Sequence, residues 1–486
     1  MTANGRDMLQ QQVNEDDTGP FALAASKRVA EAVEAKFNAR ENVFSPFSAE
    51  EKTQLLSLFQ SIATCLLQRL LCTPPVLHLR SPLLCCGDIH GSFRDLHTVL
   101  EQGAPFGHWS LLYAPILLLG DFVDRGPHSV EVILVLFSWA LLCPDTVYLV
   151  RGNHEDPSVN GNCDLYGDRS FIALAKAFFG DEDGSRFWEL TNTVFSFLPV
   201  AAVVDDTVFA CHGGIPCLTT ALASSAADAS STTPLRNSGS ADLNESIPTE
   251  ALFEALLEEE DGGLYRFETV LRKDTDDAHT AMRRRLVREL LWNDPAKQED
   301  GAARHWSLPG PGASPSGSST GKGSVAFDLH GFRCNRGRND VSGDIHEFSE
   351  SALTHFLERF GFALLLRAHQ QKDTGVEVVK RRRIITLFSC CDYAYGCSNC
   401  AGACLICGGL IRLISWYPRP KSTSLSRFSQ RLFGSDSNAP SLNTQQLAEC
   451  DRRRFRFEEG DSSTREMEAA AERFRQRPLA EAMEYG

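Results

Sequence analysis

The sequence predicts an α/β protein, and three observations carry that reading. Short apolar runs recur, several closed by glycine, as expected for strands buried on both faces. Longer segments of helical periodicity alternate with them. Each apolar run also ends on the same kind of residue. Ile116 to Leu119 meets Gly120, then Asp121, Asp124 and Arg125; Pro82 to Cys86 meets Gly87, then Asp88 and His90. Thr146 to Val150 leads to Asn153, His154 and Glu155, Thr207 to Cys211 to His212, and Phe362 to Leu366 to His369. Side chains placed directly after a buried strand stand on a rigid stem, where α/β proteins commonly put their chemistry.

In chain order, residues 1 to about 20 are polar and read as disordered. Phe21 to Phe37 has helical periodicity, and Ser48 to Leu71 is a stronger helix, with Ser48 and Glu51 spaced as a capping box. Helices are predicted over Phe93 to Gln102, Val130 to Leu142, Ser170 to Phe179, Glu250 to Glu259, His279 to Leu291 and Ser349 to Phe360. Asn162 to Tyr166 reads as loop, and Thr193 to Val204 with Thr207 to Cys211 as a hairpin turning at Asp205 and Asp206. A strand-rich stretch runs from Phe362 to about Trp416. The domain reading is an N-terminal extension over 1–47 and a catalytic domain over 48–417, then a Ser-rich linker and charged tail over 418–486, with a tail helix at Ser463 to Met483. Insertions poor in apolar period fall at about 219–248 and 299–324 and are expected to gate access to the motif-bearing loops.

Net charge is −15 and the pI about 5.4, which argues against nucleic acid and against an anionic membrane surface as partners. The longest apolar run, Val132 to Cys143, is too short to cross a bilayer and reads as a core helix. The 16 cysteines follow no secreted-domain framework and no signal peptide opens the chain, so reduced thiols and a cytoplasmic or nuclear location are expected.

Asp88, His90, Asp121, Asn153, His212 and His369 combine carboxylate, amide oxygen and imidazole without thiolate. Such a set suits Mn, Fe or Zn. Six ligands exceed what one catalytic ion with open positions needs, and fit two divalent ions about 3.5–4 Å apart that share a carboxylate. Arg125 and Arg336 offer guanidinium forks for phosphate oxygens. His154 is placed to protonate a leaving alkoxide, with Asp124 to orient it. These residues read as a metal-assisted phosphoester hydrolase.

The segments GDIHG (87–91), GDFVDRG (120–126), RGNHE (151–155), HGG (212–214), LLWNDP (290–295), NRG (335–337) and RAHQ (367–370) closely resemble those of the phosphoprotein phosphatase (PPP) family of serine/threonine protein phosphatases, in the family's order over roughly 50–416. The resemblance implies a central β-sandwich flanked by helices, the calcineurin-like metallophosphoesterase fold, with two metals at its rim. It implies Asp88, His90, Asp121, Asn153, His212 and His369 as ligands, with Asp121 bridging, and His154 with Asp124 as the acid pair. Arg125, Arg336, Asn153 and Tyr393 would meet the substrate, a phosphoserine or phosphothreonine in a protein. Regulatory subunits are expected by the same analogy. The alternatives are a phosphoesterase of nucleotides or small phosphoesters, and a non-catalytic interaction protein of the same fold.

The segment 389–403 departs from the family's pattern: Asp392 replaces Asn and Ala394 replaces Cys, and the added charge is expected to weaken phosphate binding. Cys397, Cys400, Cys404 and Cys407 have paired spacing, but the pairs lie too close together for a zinc ribbon. Cys163 to Arg169 has the spacing of a cysteine phosphatase, but Asp164 and Asp168 within it would repel phosphate. Gly317 to Gly323 lacks the Ser or Thr of a P-loop, and Arg381 to Arg383 reads as a solvated strand edge rather than a nuclear signal.

Overall fold

The computed structural model describes residues 18–39, 41–103, 114–218, 249–258, 263–271, 273–297, 326–338, 345–393 and 398–416. All lie in the first of two compact units, Met1–Leu425. The expected insertions, residues 1–17, and the linker and tail from 417 onward fall outside the described residues.

Eleven strands form two facing sheets. They are β1 (Val76–Leu79), β2 (Leu83–Cys86), β3 (Ile116–Leu118), β4 (Val147–Leu149), β5 (Ala201–Val204), β6 (Val208–Cys211), β7 (Leu364–Arg367), β8 (Val376–Val379), β9 (Ile384–Leu387), β10 (Ala401–Cys407) and β11 (Leu410–Trp416). One sheet has the order β11-β10-β2-β3-β4 and the other β8-β9-β7-β6-β5-β1. Successive side chains of a strand point to opposite faces. Leu117 and Leu119 accordingly join Leu83, Cys85, Ala210, Leu366 and Leu387 in the core between the sheets. Ile116 and Leu118 face the other way, into a helical layer. The far sheet does the same, sending Phe209, Leu365 and Ile384 outward against a second helical layer. Fully apolar strands are needed because both faces of each sheet are covered.

Strands β2, β3 and β4 run parallel, as do β6, β7 and β9. Their C-terminal ends therefore open on one rim. That rim receives Asp88, Asp121, Asn153, His212 and His369, one from each of the five runs singled out in the sequence.

The helix Ser129–Leu142 is buried along nearly its whole length, as its apolar run predicts. The helix Thr18–Lys36 covers it and contributes Ala22, Val29 and Val33 to the same core. The helix Thr18–Lys36 thus packs on the same core as the sandwich and completes the burial of a helix apolar all round. The capping box is present: Ser48 Oγ accepts from the Glu51 N–H at 3.2 Å and Glu51 Oε2 from the Ser48 N–H at 2.7 Å.

Two expectations are corrected. Cys163–Tyr166 is a helical turn, not loop, capped by Asn162 Oδ1 accepting from the Leu165 N–H at 3.0 Å. The β5–β6 hairpin turns at Asp205 and Asp206, both with positive φ as its tight turn requires, but the strand begins at Ala201. Residues before it form the helix Asp181–Phe195, whose acidic first turn suits a helix N-terminus and whose Phe187, Thr191, Val194 and Phe195 are buried at helical spacing. The paired cysteines do not form a tetrad. Cys404 and Cys407 lie three apart in β10, so they face opposite sides, and Cys404 opposes Cys85 within the sandwich; Cys397 is outside the described residues.

Ser48→Ala should lower the free energy of unfolding by about 1 kcal/mol, read as a shift of the urea midpoint at unchanged slope.

Candidate metal centre

Tight turns hold the ligand residues in place. His90, Asp121, Asp124, Arg125 and His369 all have positive φ, a conformation costly for non-glycine residues and characteristic of functional sites. Gly120 (φ +95°) makes one of these turns possible, since a Cβ there would stand 2.3 Å from the Gly152 nitrogen. Glu155, fully buried, ties the turns together, accepting from the N–H groups of Asp121 (2.7 Å), Phe122 (2.8 Å) and Gly152 (2.8 Å).

The ligand atoms converge. His90 Nε2 lies 3.4 Å from Asp121 Oδ2 and 3.6 Å from Asp88 Oδ2. His212 Nε2 lies 3.2 Å from Asp121 Oδ1, 2.9 Å from Asn153 Oδ1 and 3.1 Å from His369 Nδ1. The two oxygens of Asp121 thus face two different groups. His90–Asp121–His154 and Asp121–His212–His369 each bring their donor atoms within 4.8 Å of one another, in full burial.

Tautomers follow from the backbone. His90 Nδ1 donates to the Val123 carbonyl at 2.9 Å and His212 Nδ1 to the Leu119 carbonyl at 2.7 Å, which turns each Nε2 inward. Burial disfavours a charged His212, but the carboxylate of Asp121 outweighs it and raises the His212 pKa above its ordinary value. Burial, helped by His154, lowers the His90 pKa to about 3, so its imidazole is neutral. Around Asn153, the amide oxygen, His212 Nε2, His369 Nδ1 and the Asp121 carboxylate all face one another. A protonated His212, a turned-over amide or a bound cation would each satisfy these groups, and only the cation meets all of them with the amide oxygen inward. The oxygen-inward arrangement is that of a metal-binding asparagine. The donor set of carboxylate, amide oxygen and imidazole, gathered in burial, fits divalent cations.

Beside this cluster stands an acid pair. His154 Nδ1 contacts Asp124 Oδ2 at 2.6 Å, and its Nε2 faces Asp121 Oδ2 at 4.0 Å. Asp124 is fully buried and its second oxygen accepts from the Phe171 N–H at 2.6 Å. Burial disfavours the imidazolium, but the carboxylates of Asp121 and Asp124 outweigh it and raise the His154 pKa above 6.5.

A cavity of about 310 Å³ opens over these residues, lined also by Arg125, Arg338, Lys297, Lys372 and Tyr393. Arg125 stacks on Tyr166, its guanidinium 4.5 Å from the ring centre, and reaches Tyr393 at 5.8 Å. Arg336 is exposed and outside the cavity lining, whereas Arg338, two residues on, lines it. Asp294 aims Arg338 by accepting at 2.7 and 3.0 Å, and Arg338 also donates to the His369 carbonyl. The Asp392 carboxylate meets Arg94 at 3.4 Å and does not line the cavity. The buried Asp95 pins this segment, accepting from the Cys391 N–H (2.9 Å), the Cys391 thiol (2.8 Å) and Trp416 Nε1 (3.0 Å).

Sequence reasoning missed Arg338, Tyr166, Lys297 and the bracing role of Glu155. Arg338 stood directly after the NRG motif, but only the three-dimensional arrangement separates it from Arg336. Glu155 carried a usable signal, as a carboxylate directly after a ligand-bearing turn.

The sequence matches the calcineurin-like phosphoesterase family over residues 81–373, more than half of the chain. The chain belongs to that family. Among solved structures, it is similar to a serine/threonine protein phosphatase from Saccharomyces cerevisiae with similarity to human phosphatase PP5, at 21% identity and a TM-score of 0.50, covering 81% of this chain and 97% of that one. It is also similar to a cold-active protein tyrosine phosphatase of a psychrophilic Shewanella, at 16% identity and a TM-score of 0.40, over 71% of this chain and 81% of that one. The yeast likeness supports the fold; the second is too distant to carry an argument. No helix among the described residues is long and apolar enough to cross a membrane.

In the metal-free protein, His154 should titrate above 6.5 by NMR, and Asp124→Asn should bring its pKa down. Because the folded pKa is raised, this pair stabilises the fold below the unfolded value, and the contribution is lost as pH rises through the folded one. A His154 pKa unmoved by Asp124→Asn would contradict the pairing.

Proposed function

We propose that this chain hydrolyses phosphoserine and phosphothreonine in proteins at a dinuclear metal centre. The observation that carries the reading is Asp121, whose two oxygens face separate ligand groups, with a buried His–Asp pair beside them. Asp88, His90 and Asp121 would hold one ion, and Asp121, Asn153, His212 and His369 the other. Two divalent ions, Mn, Fe or Zn by donor chemistry, would supply charge against the phosphoryl oxygens and lower the pKa of an attacking water.

The chain's own residues do the rest. Arg125 and Arg338 bind phosphoryl oxygens by their guanidinium forks, Arg338 fixed by Asp294 and Arg125 by its stacking on Tyr166. His154, held protonated by Asp124, presents Nε2 to the leaving oxygen and donates its proton as the ester bond breaks. Tyr393 walls the cavity, its ring centre 5.0 Å from that of His90, so that its face can pack against a substrate side chain. The choice of protein substrate is supported by the LLWNDP, RAHQ and Tyr393 segments and by the yeast structure named as a serine/threonine phosphatase. Phosphoproteins, and regulatory subunits by analogy, are the partners this reading proposes.

The test is turnover of a phosphothreonine peptide with added Mn. His154→Ala should cost about 10²–10⁴-fold in kcat, and Asp88→Ala should reduce both activity and bound metal. Arg338→Ala should cost far more in kcat/KM than Arg336→Ala. Equal losses at the two arginines would return Arg336 to the site, and preferential turnover of a dinucleoside polyphosphate would replace the protein reading with a nucleotide one.

A further inference from the structure

One cation of the cavity has no part in the chemistry above. Lys297 follows the Trp292–Pro295 turn, is exposed, lines the same cavity as the ligands, and makes no hydrogen bond or ion pair with a described residue. The other cations of the wall are engaged. Arg338 is paired with Asp294, Lys372 with Glu377, and Arg125 is stacked on Tyr166. On a chain of net charge −15, the cavity wall gathers four cations, and Lys297 is the one without a described partner. The cavity, about 310 Å³, runs from Asp88, His90 and Asp121 to Lys297. With one phosphate met by the metal centre and the two arginines, Lys297 is left facing whatever lies next to that phosphate.

We propose that the cavity accepts a substrate carrying a second anionic group close to the scissile phosphate, and that Lys297 selects for it. The group is a carboxylate or a second phosphate on the same chain. The inference rests on the phosphatase reading and narrows its substrate class. An exposed lysine attracts either anion at the mouth of the cavity, with a strength that salt screens.

The test compares kcat/KM for three phosphothreonine peptides identical except for the flanking residue, which is alanine, aspartate or phosphoserine. Wild type should favour the anionic peptides about fivefold at low ionic strength, with the advantage shrinking as salt is added. Lys297→Gln should bring the ratio to about one, Lys297→Arg should keep it and Lys297→Glu should reverse it. The aspartate and phosphoserine arms tell which anion is preferred. A ratio unchanged by Lys297→Gln overturns the proposal. So does an equal loss on all three peptides, which would put Lys297 on the scissile phosphate itself. Failure of the phosphatase reading looks different: no peptide turns over in wild type or variant, and this inference falls with it.

Discussion

The structure depends on holding the carboxylate of Asp121 between two groups of buried donors. A buried carboxylate is costly in free energy unless it is paired and hydrogen-bonded. Here, burial opposes ionisation, but His212 and His154 outweigh it and hold the Asp121 pKa well below its usual range. The site is therefore built around an anion. Its oxygens are aimed by the His154 N–H, which donates to Oδ1 at 2.9 Å, and its backbone by Glu155. Asp88 is aimed in the same way, accepting from the His369 N–H at 2.8 Å. Each ligand segment thus positions the carboxylate of another, and the sandwich brings them to one rim.

That arrangement explains the second layer of polar residues. Arg151 is fully buried and bonds the backbone carbonyls of Glu155, Phe267 and Glu268, which fastens the Asn153 turn to the segment beyond the first insertion. Arg367, also fully buried, shares Asp294 with Arg338, so the cavity-lining arginine and the strand delivering His369 answer to one carboxylate. Burial lowers the pKa of Arg367, and Asp294 pushes back. Ionised side chains are tolerated this deep because each is matched by an opposite charge or by carbonyl oxygens.

The candidate site was largely legible in the sequence because its ligands sit directly after strands. A strand end offers little freedom: once five apolar runs are recognised as parallel or hairpin neighbours, their terminal residues must share a rim. The positions of Asp88, His90, Asp121, Asn153, His212 and His369 follow from that. The helices with clear periodicity or caps were legible for the same local reason, Ser48 with Glu51 being the clearest. Asp181–Phe195 was not, since its β-branched end resembles a strand until the burial of its helical face is known.

By itself, the sequence determined the class of fold and the residues that gather at the candidate site, because strand periodicity and residue chemistry are local properties. Only the tertiary structure set Arg338 rather than Arg336 in the cavity wall, turned Asp392 toward Arg94, and brought Glu155 under the Asp121 turn. Each of those outcomes depends on where a loop crosses a distant segment: Arg338 on Asp294, Asp392 on the helix carrying Arg94, Glu155 on the glycine-permitted approach of Gly120 to Gly152. Such approaches are fixed by packing of the whole sandwich, which no window of neighbouring residues encodes.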